Sequence, residues 1–248
     1  MTVLVGGVGE LYQGDLDVGR RVVEELAGER LGPDVLVEDL HYGAIAVAQR
    51  LAEVAPSALV IVGAAERGRA PARVTRRRVR PAAPDVADFQ AAMHDAGTGY
   101  VTIDLLLTVC AGLDALPART VVLEVEPAAL GPADALSEAC LAALPEVLWQ
   151  VRIEVGRIPL LELCDRLRPL TYDERLQPAP ALEVIRALLV ELAGLDRDGH
   201  WGSAFSLRDR LRMNISAGET PEGMEHEDWA LWWALIEELD RLQGAEAV

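Results

Sequence analysis

The feature that most constrains the fold is the opening stretch Thr2–Gly19, which reads TVLVGGVGELYQGDLDVG. Thr2–Val5 has buried-strand character and runs into a cluster of glycines, and a polar loop carrying Asp15 and Asp17 follows. Val18-Gly19 then opens a predicted helix. A strand, a glycine-rich turn and a helix start form a cleft at the C-terminal edge of a parallel sheet, where open α/β sheets bind ligands. The two acids at the loop–helix junction suit a metal ion or charge chemistry.

The segments that follow alternate between predicted helices and predicted strands. We expect strands at 35–37, 58–63 and 120–126, and helices at 20–26, 44–54, 100–111 and 137–151. Ser137 is expected to be the N-cap of the last of these helices. The apolar run of the third strand is typical of a strand that is buried on both faces. An order of strand, helix, strand, helix, strand predicts a parallel sheet with right-handed crossovers. The predicted fold class is therefore an α/β three-layer sandwich with a mostly parallel, twisted sheet.

A basic stretch interrupts this pattern, with seven arginines between Arg67 and Arg80. Its centre, Arg73–Val79, is β-branched and carries charges on both faces, which favours an exposed edge strand where charge blocks edge-to-edge pairing. The alternative is a docking patch for an acidic partner. The sequence leaves both open, and the edge strand is the simpler interpretation.

The region after residue 151 is predicted to be a separate, mainly helical extension, so that the domains are 1–151 and 152–248. Helices are expected at 158–167, 181–195 and 225–242, with a connector at 171–180 and a polar loop at 196–202. The last helix carries Trp229, Trp232 and Trp233. These side chains either pack against the main domain or form an aromatic face that binds a partner, because tryptophan is enriched at interface hot spots.

Charge and cysteine usage exclude several classes of function. A formal net charge of −17 argues against general binding of nucleic acid or anionic membranes, which requires basic surfaces. Cys110, Cys140 and Cys164 show no metal or redox spacing and are expected to be small buried side chains in a reducing compartment. No apolar run reaches the length of a membrane span, and no basic, apolar leader precedes the first strand, so a cytoplasmic location is expected.

Several short motifs, taken in order, resemble the hydrogenase maturation proteases, the endopeptidases that trim the C-terminus of the nickel-iron hydrogenase large subunit. The motifs are Val8-Gly9, Gly14-Asp15-x-x-Val18-Gly19 with Arg20, Arg21 and Val22-Val23-Glu24 after it, Leu59–Val62 with Gly68, Asp104-Leu105, Val121–Val125 with Glu126-Pro127, and Leu136-Ser137. None of them is specific alone, but their order and spacing across the first 150 residues together indicate the family.

The resemblance implies an α/β sandwich with a cleft at the strand ends. In the family, an acid of the first loop, an aspartate after the third strand and a histidine before the late helix hold the nickel that is already in the precursor. The metal thus reports that the substrate is ready, and the peptide is cut nearby. Oxygen and imidazole ligands that converge on one point suit such a site.

This chain departs from the family at each ligand position. Leu16 stands at the first, Gly63 at the second, and Gly97 or Thr98 at the third, and His94 is the nearest histidine. Leucine cannot ligate a metal, and glycine offers only its backbone. The asparagine that often follows the first Gly-x-Gly of the family is replaced by Glu10.

The sequence is therefore compatible with three functions. The favoured one is a non-catalytic assembly or maturation factor for a nickel-iron hydrogenase, without a cofactor, whose partner is the large subunit or a maturation complex. The second is an active endopeptidase that uses nickel delivered by the substrate, with Asp15, Asp17 and His94 as relocated ligands. The third is a cleft that binds an unrelated small molecule. The residues expected to form the cleft are Gly7, Gly9, Glu10, Asp15, Asp17, Gly63, His94 and Thr98.

Overall fold

The computed structural model describes residues 2–170, 180–198, 202–214 and 226–246, which form two compact units, Met1–Val155 and Gly156–Val248. The boundary lies four residues after the predicted one. The first unit contains the strands β1 Val3–Val8, β2 Val35–Asp39, β3 Ala58–Ala64, β4 Val74–Val79 and β5 Arg119–Val125. Its helices are α1 Val18–Leu26, α2 Ala44–Val54, α3 Val86–Ala96 and α4 Ile103–Gly112, and α5 Glu138–Leu170 begins in it.

The five strands form one sheet in the order β2-β1-β3-β5-β4. Four strands are parallel, and β4 runs antiparallel to β5 at one edge. The predicted fold class is confirmed, since helices cover both faces of a mostly parallel sheet and a helical region follows it. The basic stretch forms the predicted edge strand, although its bounds are Val74–Val79.

The core explains why the apolar runs of the sequence form the central strands. β1 and β3 are buried along almost their whole length, because the sheet is covered on both faces. On one face, side chains of β1, β3 and β5 pack with α2, α3 and α4. On the other face, Gly7 and Gly19 let α1 approach the sheet so closely that a Cβ on Gly19 would lie 2.2 Å from the Val8 carbonyl oxygen.

Several predicted boundaries of the first unit are wrong. Gly6 and Gly7 lie within β1 and not in a turn. Gly7 faces α1, and a Cβ on Gly6 would lie 2.1 Å from the Leu40 side chain, so close packing on the two faces of the strand requires glycine at both positions. Helix α4 begins at Ile103, where Thr102 caps it by accepting a hydrogen bond from the Leu105 amide at 3.1 Å. Helix α3 is not among the predicted helices, although Asp85 caps it by accepting a hydrogen bond from the Asp88 amide at 2.9 Å.

The second unit is helical throughout the part that the structure describes. It contains the C-terminal half of α5, together with α6 Pro180–Asp198, α7 Gly202–Asn214 and α8 His226–Glu246. The helices predicted at 137–151 and 158–167 are one continuous helix, α5, and α7 was missed. The predicted loop at 196–202 is helical at both of its ends, and most of the predicted connector, 171–179, lies outside the described residues. Leucines of all four helices and Trp232 form the core of the unit.

Candidate functional site

The C-terminal edge of the parallel strands holds the candidate site, as the sequence predicts. A cavity of about 440 Å³, called here the edge cavity, lies beside β3 and the start of α4. It is lined by Leu16, Ala64, Ala65, Glu66, Arg67, Tyr100, Thr102, Ile103, Asp104 and Leu130. A smaller inner recess shares five of these residues and adds Val8, Gly9, Glu10 and Val101. The volume of the edge cavity falls in the range of ligand-binding clefts.

Asp15, a predicted metal ligand, is fully buried and serves another purpose. Its carboxylate accepts hydrogen bonds from the amides of Ala128 at 2.9 Å, Ala129 at 2.8 Å and Ser137 at 2.7 Å, and from the Ser137 hydroxyl at 2.9 Å. Burial acts to raise the pKa of Asp15, but the hydrogen bonds from Ser137 and Ala129 outweigh it and lower the pKa. Asp15 therefore holds the loop between β5 and α5 against the first loop.

Ser137 links this carboxylate to the start of α5. Its hydroxyl oxygen also accepts a hydrogen bond from the Cys140 amide at 3.2 Å, so Ser137 is the predicted N-cap of the helix. The same two loops are joined by backbone hydrogen bonds, from the Gly14 amide to the Ala133 carbonyl and from the Ala133 amide to the Tyr12 carbonyl, each at 3.0 Å. One wall of the site is thus fixed by backbone pairing and by a buried acid.

Asp17, the second acid of the first loop, is neutralised by its own helix. Its carboxylate accepts from Nε of Arg20 at 2.7 Å, pairs with the terminal nitrogen of the same guanidinium, and lies 3.3 Å from Nε of Arg21. Both arginines follow within one turn of α1, so the pairs form from local helix geometry. The Asp17 side chain is almost fully buried and does not line either cavity.

The predicted relocated ligands are not brought together. His94 is exposed in the last turn of α3, and neither it nor Asp15 lines the edge cavity or the inner recess. Across the described parts of the chain, no group of three or more His, Cys, Asp or Glu side chains is arranged to hold a metal ion. The donor set present does not fit the nickel site that the resemblance implies.

The three aligned positions also lack donors that could replace the family ligands. Leu16 presents an apolar side chain to both cavities. Gly63 lies in β3, and a Cβ there would lie 2.7 Å from the Val8 carbonyl oxygen, so no larger side chain fits without a shift of the backbone. Gly97 and Thr98 are exposed after α3, where the Thr98 hydroxyl donates to the Asp95 carbonyl at 2.7 Å.

A network of ion pairs that was not predicted from the sequence lies at the opposite wall of the edge cavity. Glu124, fully buried on β5, accepts hydrogen bonds from Arg67, Arg69 and Arg77 at 2.8 to 3.4 Å. Burial acts to raise the pKa of Glu124, but these guanidinium groups lower it to about 2. Arg67 also makes a two-pronged pair with Asp104 of α4, at 2.7 and 2.8 Å. Three arginines of the basic stretch are therefore paired within the fold.

Glu126 fixes the loop that leaves β3. Its carboxylate accepts from the backbone amides of Arg67 at 3.0 Å and Gly68 at 2.9 Å. Asp15 and Glu126 thus have the same structural role on two different loops. Each buried carboxylate accepts hydrogen bonds from backbone amides that would otherwise lack partners. The acids near this edge hold the walls of the cleft in place.

Glu10 and Gly9 are the predicted cleft residues that line the inner recess. Burial raises the pKa of the Glu10 carboxyl, and its Oε1 atom is buried without a hydrogen-bond partner among the described residues. Tyr100 shares the recess; burial raises the pKa of its phenol, and the charge of Glu10 raises it further. Gly7 packs against α1 and lies away from both cavities.

The structure describes two of the three tryptophan side chains of α8, and both pack against the core of the second unit. Trp232 is fully buried in the core of the second unit, and Trp233 is partly buried against the same core. Because Trp232 is fully buried, it cannot contact a binding partner in this conformation. The side chain of Trp229 lies outside those that the structure describes.

All three cysteines are buried and free, as expected. Burial raises the pKa of the Cys110 thiol to about 12, so this thiol is protonated at neutral pH. Within the parts of the chain that are described, no helix is both long and apolar enough to cross a membrane.

Comparison with solved structures finds several proteins to which part of this chain is similar. A hydrogenase 2 maturation peptidase from Thaumarchaeota archaeon SCGC_AB-539-E09 is 24% identical, with a TM-score of 0.46 over 63% of this chain and 99% of that one. An endopeptidase from Escherichia coli is 22% identical, with a TM-score of 0.49 over 63% and 93%. The hydrogenase maturating endopeptidase HybD from E. coli is 24% identical, with a TM-score of 0.45 over 61% and 90%.

These similarities are at the level of the fold. Two of the three structures carry the name of the family that the sequence motifs resemble. No family model matches this chain. No curated protein matches it either.

Proposed function

We propose that this protein is a non-catalytic assembly or maturation factor for a nickel-iron hydrogenase. In this proposal it binds the large subunit or a maturation complex at the C-terminal edge of its sheet. The ordered motifs of the first 150 residues, from Val8-Gly9 to Leu136-Ser137, support the family connection. The site itself supports a binding role rather than catalysis.

The proposal depends on the hydrogen bonds that the Asp15 carboxylate accepts. All of its strong hydrogen bonds go to the loop between β5 and α5, and it lines neither the edge cavity nor the inner recess. A carboxylate with four internal donors would have to break that loop in order to ligate a metal ion. Asp17 is similarly held by Arg20 and Arg21. The family position between the two acids is Leu16, which has no donor atom.

The rim of the site suits a protein partner. Leu11, Tyr12, Tyr100 and Leu130 are large apolar side chains that lie on three loops at the same sheet edge and are 45% to 68% exposed. Tyr12 has a φ of 62°, in the left-handed region that a bulky side chain rarely adopts. Strain of this kind is held at functional sites more often than elsewhere. Exposed apolar side chains around a cleft mark an interaction surface.

The test uses nickel-loaded large-subunit precursor from the same source. The precursor is incubated with the protein, its intact mass is measured, and binding is recorded in parallel by biolayer interferometry. Leu130→Ser removes one side chain from the rim of the site. The matched control is Leu113→Ser, an exposed leucine at the C-terminal end of α4, whereas the edge cavity lies at the N-terminal end of that helix. We expect an uncut precursor that binds the wild type and the control, and binds Leu130→Ser at least about tenfold more weakly, a loss of about 1.4 kcal/mol.

A positive control is a hydrogenase maturation endopeptidase that cuts the same precursor, which shows that the precursor is competent. Loss of the C-terminal peptide on incubation with this protein would overturn the proposal in favour of an active endopeptidase. In that case Asp17→Ala and His94→Ala would show whether those residues carry the activity. A competent precursor that is neither bound nor cut would also overturn it and leave the cleft to another ligand.

A further inference from the structure

The outer side of β2 is a lateral edge of the sheet whose backbone hydrogen-bonding groups are unused. Among the described strands, β2 pairs only with β1, in regular parallel register. Beyond its end, the Leu40 amide donates to the Gly7 carbonyl at 2.8 Å. Because backbone groups alternate in direction along a strand, the even-numbered residues of β2 face β1. The groups that face away belong to Val35, Val37 and Asp39, and no described residue bonds to them. This outward-facing backbone is called here the β2 edge.

The β2 edge lacks the features that protect the other lateral edge of the sheet. There, β4 carries the consecutive arginines Arg76–Arg78, which disfavour pairing with another strand. β2 reads Val-Leu-Val-Glu-Asp, with no basic residue and no proline, and its regular register includes no bulge. Leu36 is 37% exposed. An uncovered edge of β-branched and apolar residues is suited to accept a further strand.

The charges of β2 define the chemistry of that strand. Glu38 pairs with Arg50 of α2 at 2.6 Å, and the Asp39 carboxylate lies 2.7 Å from Nδ1 of His41. Both acids stand at the C-terminal end of β2, whereas its N-terminal end is apolar. Opposite charges on neighbouring strands stabilise their pairing, and apolar side chains pack across strands. A complementary strand therefore has an apolar end and a basic end.

We propose that the β2 edge binds an extended segment of a protein partner, apolar at one end and basic at the other, as a further strand of the sheet. Backbone hydrogen bonds to the outward groups supply affinity, and the acids of β2 select the basic end. No residue of β2 lines the edge cavity or the inner recess. The inference thus concerns a second surface, goes beyond the proposed function and does not depend on it.

A second copy of this chain fits the β2 edge less well than a basic segment. Antiparallel pairing of two copies about Val37 would bring two acidic edges together, each with Asp34, Glu38 and Asp39. Each copy also has a formal net charge of −17. Like charges on paired strands are unfavourable, and a large net charge opposes self-association. Both effects reverse in sign for a basic segment.

The test uses fluorescent peptides of alternating valine and threonine that end in two arginines, at the N-terminus in one peptide and at the C-terminus in another. Matched peptides carry glutamates in place of the arginines, or N-methyl groups on alternate amides, which cannot donate hydrogen bonds. Binding to the full chain is measured by fluorescence polarisation. We expect one of the two basic peptides to bind at least about tenfold more tightly than its acidic and N-methylated counterparts.

Val37→Pro removes one outward N–H group from the β2 edge. Because that group does not bond to β1, proline is compatible with the fold at this position. Val37→Ile, which keeps both the N–H group and the β-branched shape, is the matched control. The basic peptide is expected to bind Val37→Pro at least about tenfold more weakly than the wild type, and Val37→Ile with the wild-type affinity.

Amide hydrogen exchange measured by NMR reports where the peptide binds. The amides of Val35, Val37 and Asp39 should exchange at least about tenfold more slowly when the peptide is bound. The amides of Leu36 and Glu38, which face β1, should change less. This pattern does not depend on any variant, so it tests the inference even if Val37→Pro does not fold, which circular dichroism shows.

Equal binding of the basic and acidic peptides would overturn the inference, as would binding that N-methylation or a folded Val37→Pro leaves unchanged. Absence of measurable binding by both basic peptides would overturn it as well. Sedimentation velocity of the chain without peptide is expected to show a monomer. A dimer that Val37→Pro dissociates would assign the β2 edge to a second copy and overturn the inference in favour of self-association.

Discussion

At the scale of single residues, buried acids decide what this cleft can do. Asp15 joins loops that are far apart in the chain, since Ser137 lies 122 residues away from it. Hydrogen bonds from backbone amides and a hydroxyl stabilise its charged form, so its pKa is lower in the folded chain than in the unfolded one. Its contribution to stability is therefore present above the unfolded pKa and is lost as the pH falls through the folded pKa.

Asp15→Asn is expected to destabilise the first unit by about 2 to 3 kcal/mol at pH 7, because the amide places a donor against backbone donors. The loss should shrink as the pH falls below the ordinary aspartate pKa of 3.8 and through the lowered pKa of the folded chain, because Asp15 then loses its charge in the wild type as well. Urea unfolding of both proteins at pH 7 and below pH 3.8 measures the effect. A variant as stable as the wild type at pH 7 would contradict the role of Asp15 as the anchor of the loop.

The effect of Glu10 on stability has the opposite dependence on pH to that of Asp15. Burial raises its pKa in the folded chain, so the carboxylate disfavours folding above that pKa and the penalty disappears as the pH falls below the unfolded value. Glu10→Gln is expected to raise the free energy of unfolding at pH 7 by up to about 1 kcal/mol, and to gain nothing at pH 3. Thermal and urea unfolding check this. A clear loss of stability on this substitution would mean that the carboxylate is needed by the fold itself.

At the scale of elements, the edge strand β4 is tied to the sheet by charge. Arg77 of β4 and Arg67 of the preceding loop both donate to Glu124 of β5, and Arg76 pairs with Glu154 of α5 at 2.9 Å. The arginines that protect the edge against pairing with other chains thus also hold the strand in place. The Arg67–Asp104 pair extends the network to α4 and to the wall of the edge cavity.

Glu124→Gln should leave three guanidinium groups without their common partner and destabilise the first unit by about 2 to 4 kcal/mol at pH 7. Because the pKa of Glu124 is lowered to about 2, the difference from wild type should narrow only as the pH falls from about 4.5 towards 2. Glu66→Gln, on the exposed loop after β3, is the control and should change stability by less than about 0.5 kcal/mol. Hydrogen exchange should show faster exchange in β4. Unchanged exchange there would argue against the network as the anchor of this strand.

At the scale of the whole molecule, the described residues include two separate hydrophobic clusters, one in each unit. One is built from residues between Leu4 and Val122, and the other from residues between Leu160 and Leu242. The two share no residue, so a cavity made in one should mainly affect its own unit. The second core explains the burial of Trp232, which fills the centre of the helical unit.

Leu235→Ala removes a fully buried side chain from the second core and is expected to cost about 2 to 5 kcal/mol in that unit. Amide exchange should accelerate in α6, α7 and α8 while protection of β1 and β3 is kept. Leu59→Ala, near the start of β3 and in the core of the first unit, should give the converse pattern. Simultaneous loss of protection in both units with either variant would show that the chain unfolds as a single cooperative body.

Elements with a local signal could be predicted from the amino-acid sequence alone. The continuous apolar run at Ala58–Ala64 requires burial on both faces, so it predicts a central strand of a parallel sheet. The arginines at 73–78 predict an edge strand, because charges on both faces are tolerated only there. Helix α2 and the N-cap of α5 followed from periodicity and from Ser137 in the same way. The loss of the family's ligand positions was also visible in the sequence, since Leu16 and Gly63 have no donor side chain.

The roles of the charged and aromatic side chains could not be predicted in this way, because they depend on contacts that form in the folded chain. Asp15 and Asp17 look alike in the sequence, yet one anchors a loop more than a hundred residues away and the other pairs within its own helix. The two possibilities for Trp232 share one helical pattern, and its burial depends on helices distant in the chain. Helix periodicity and glycine positions are local properties. The partner of a carboxylate or an aromatic ring depends on which loops and helices the fold brings together at one place.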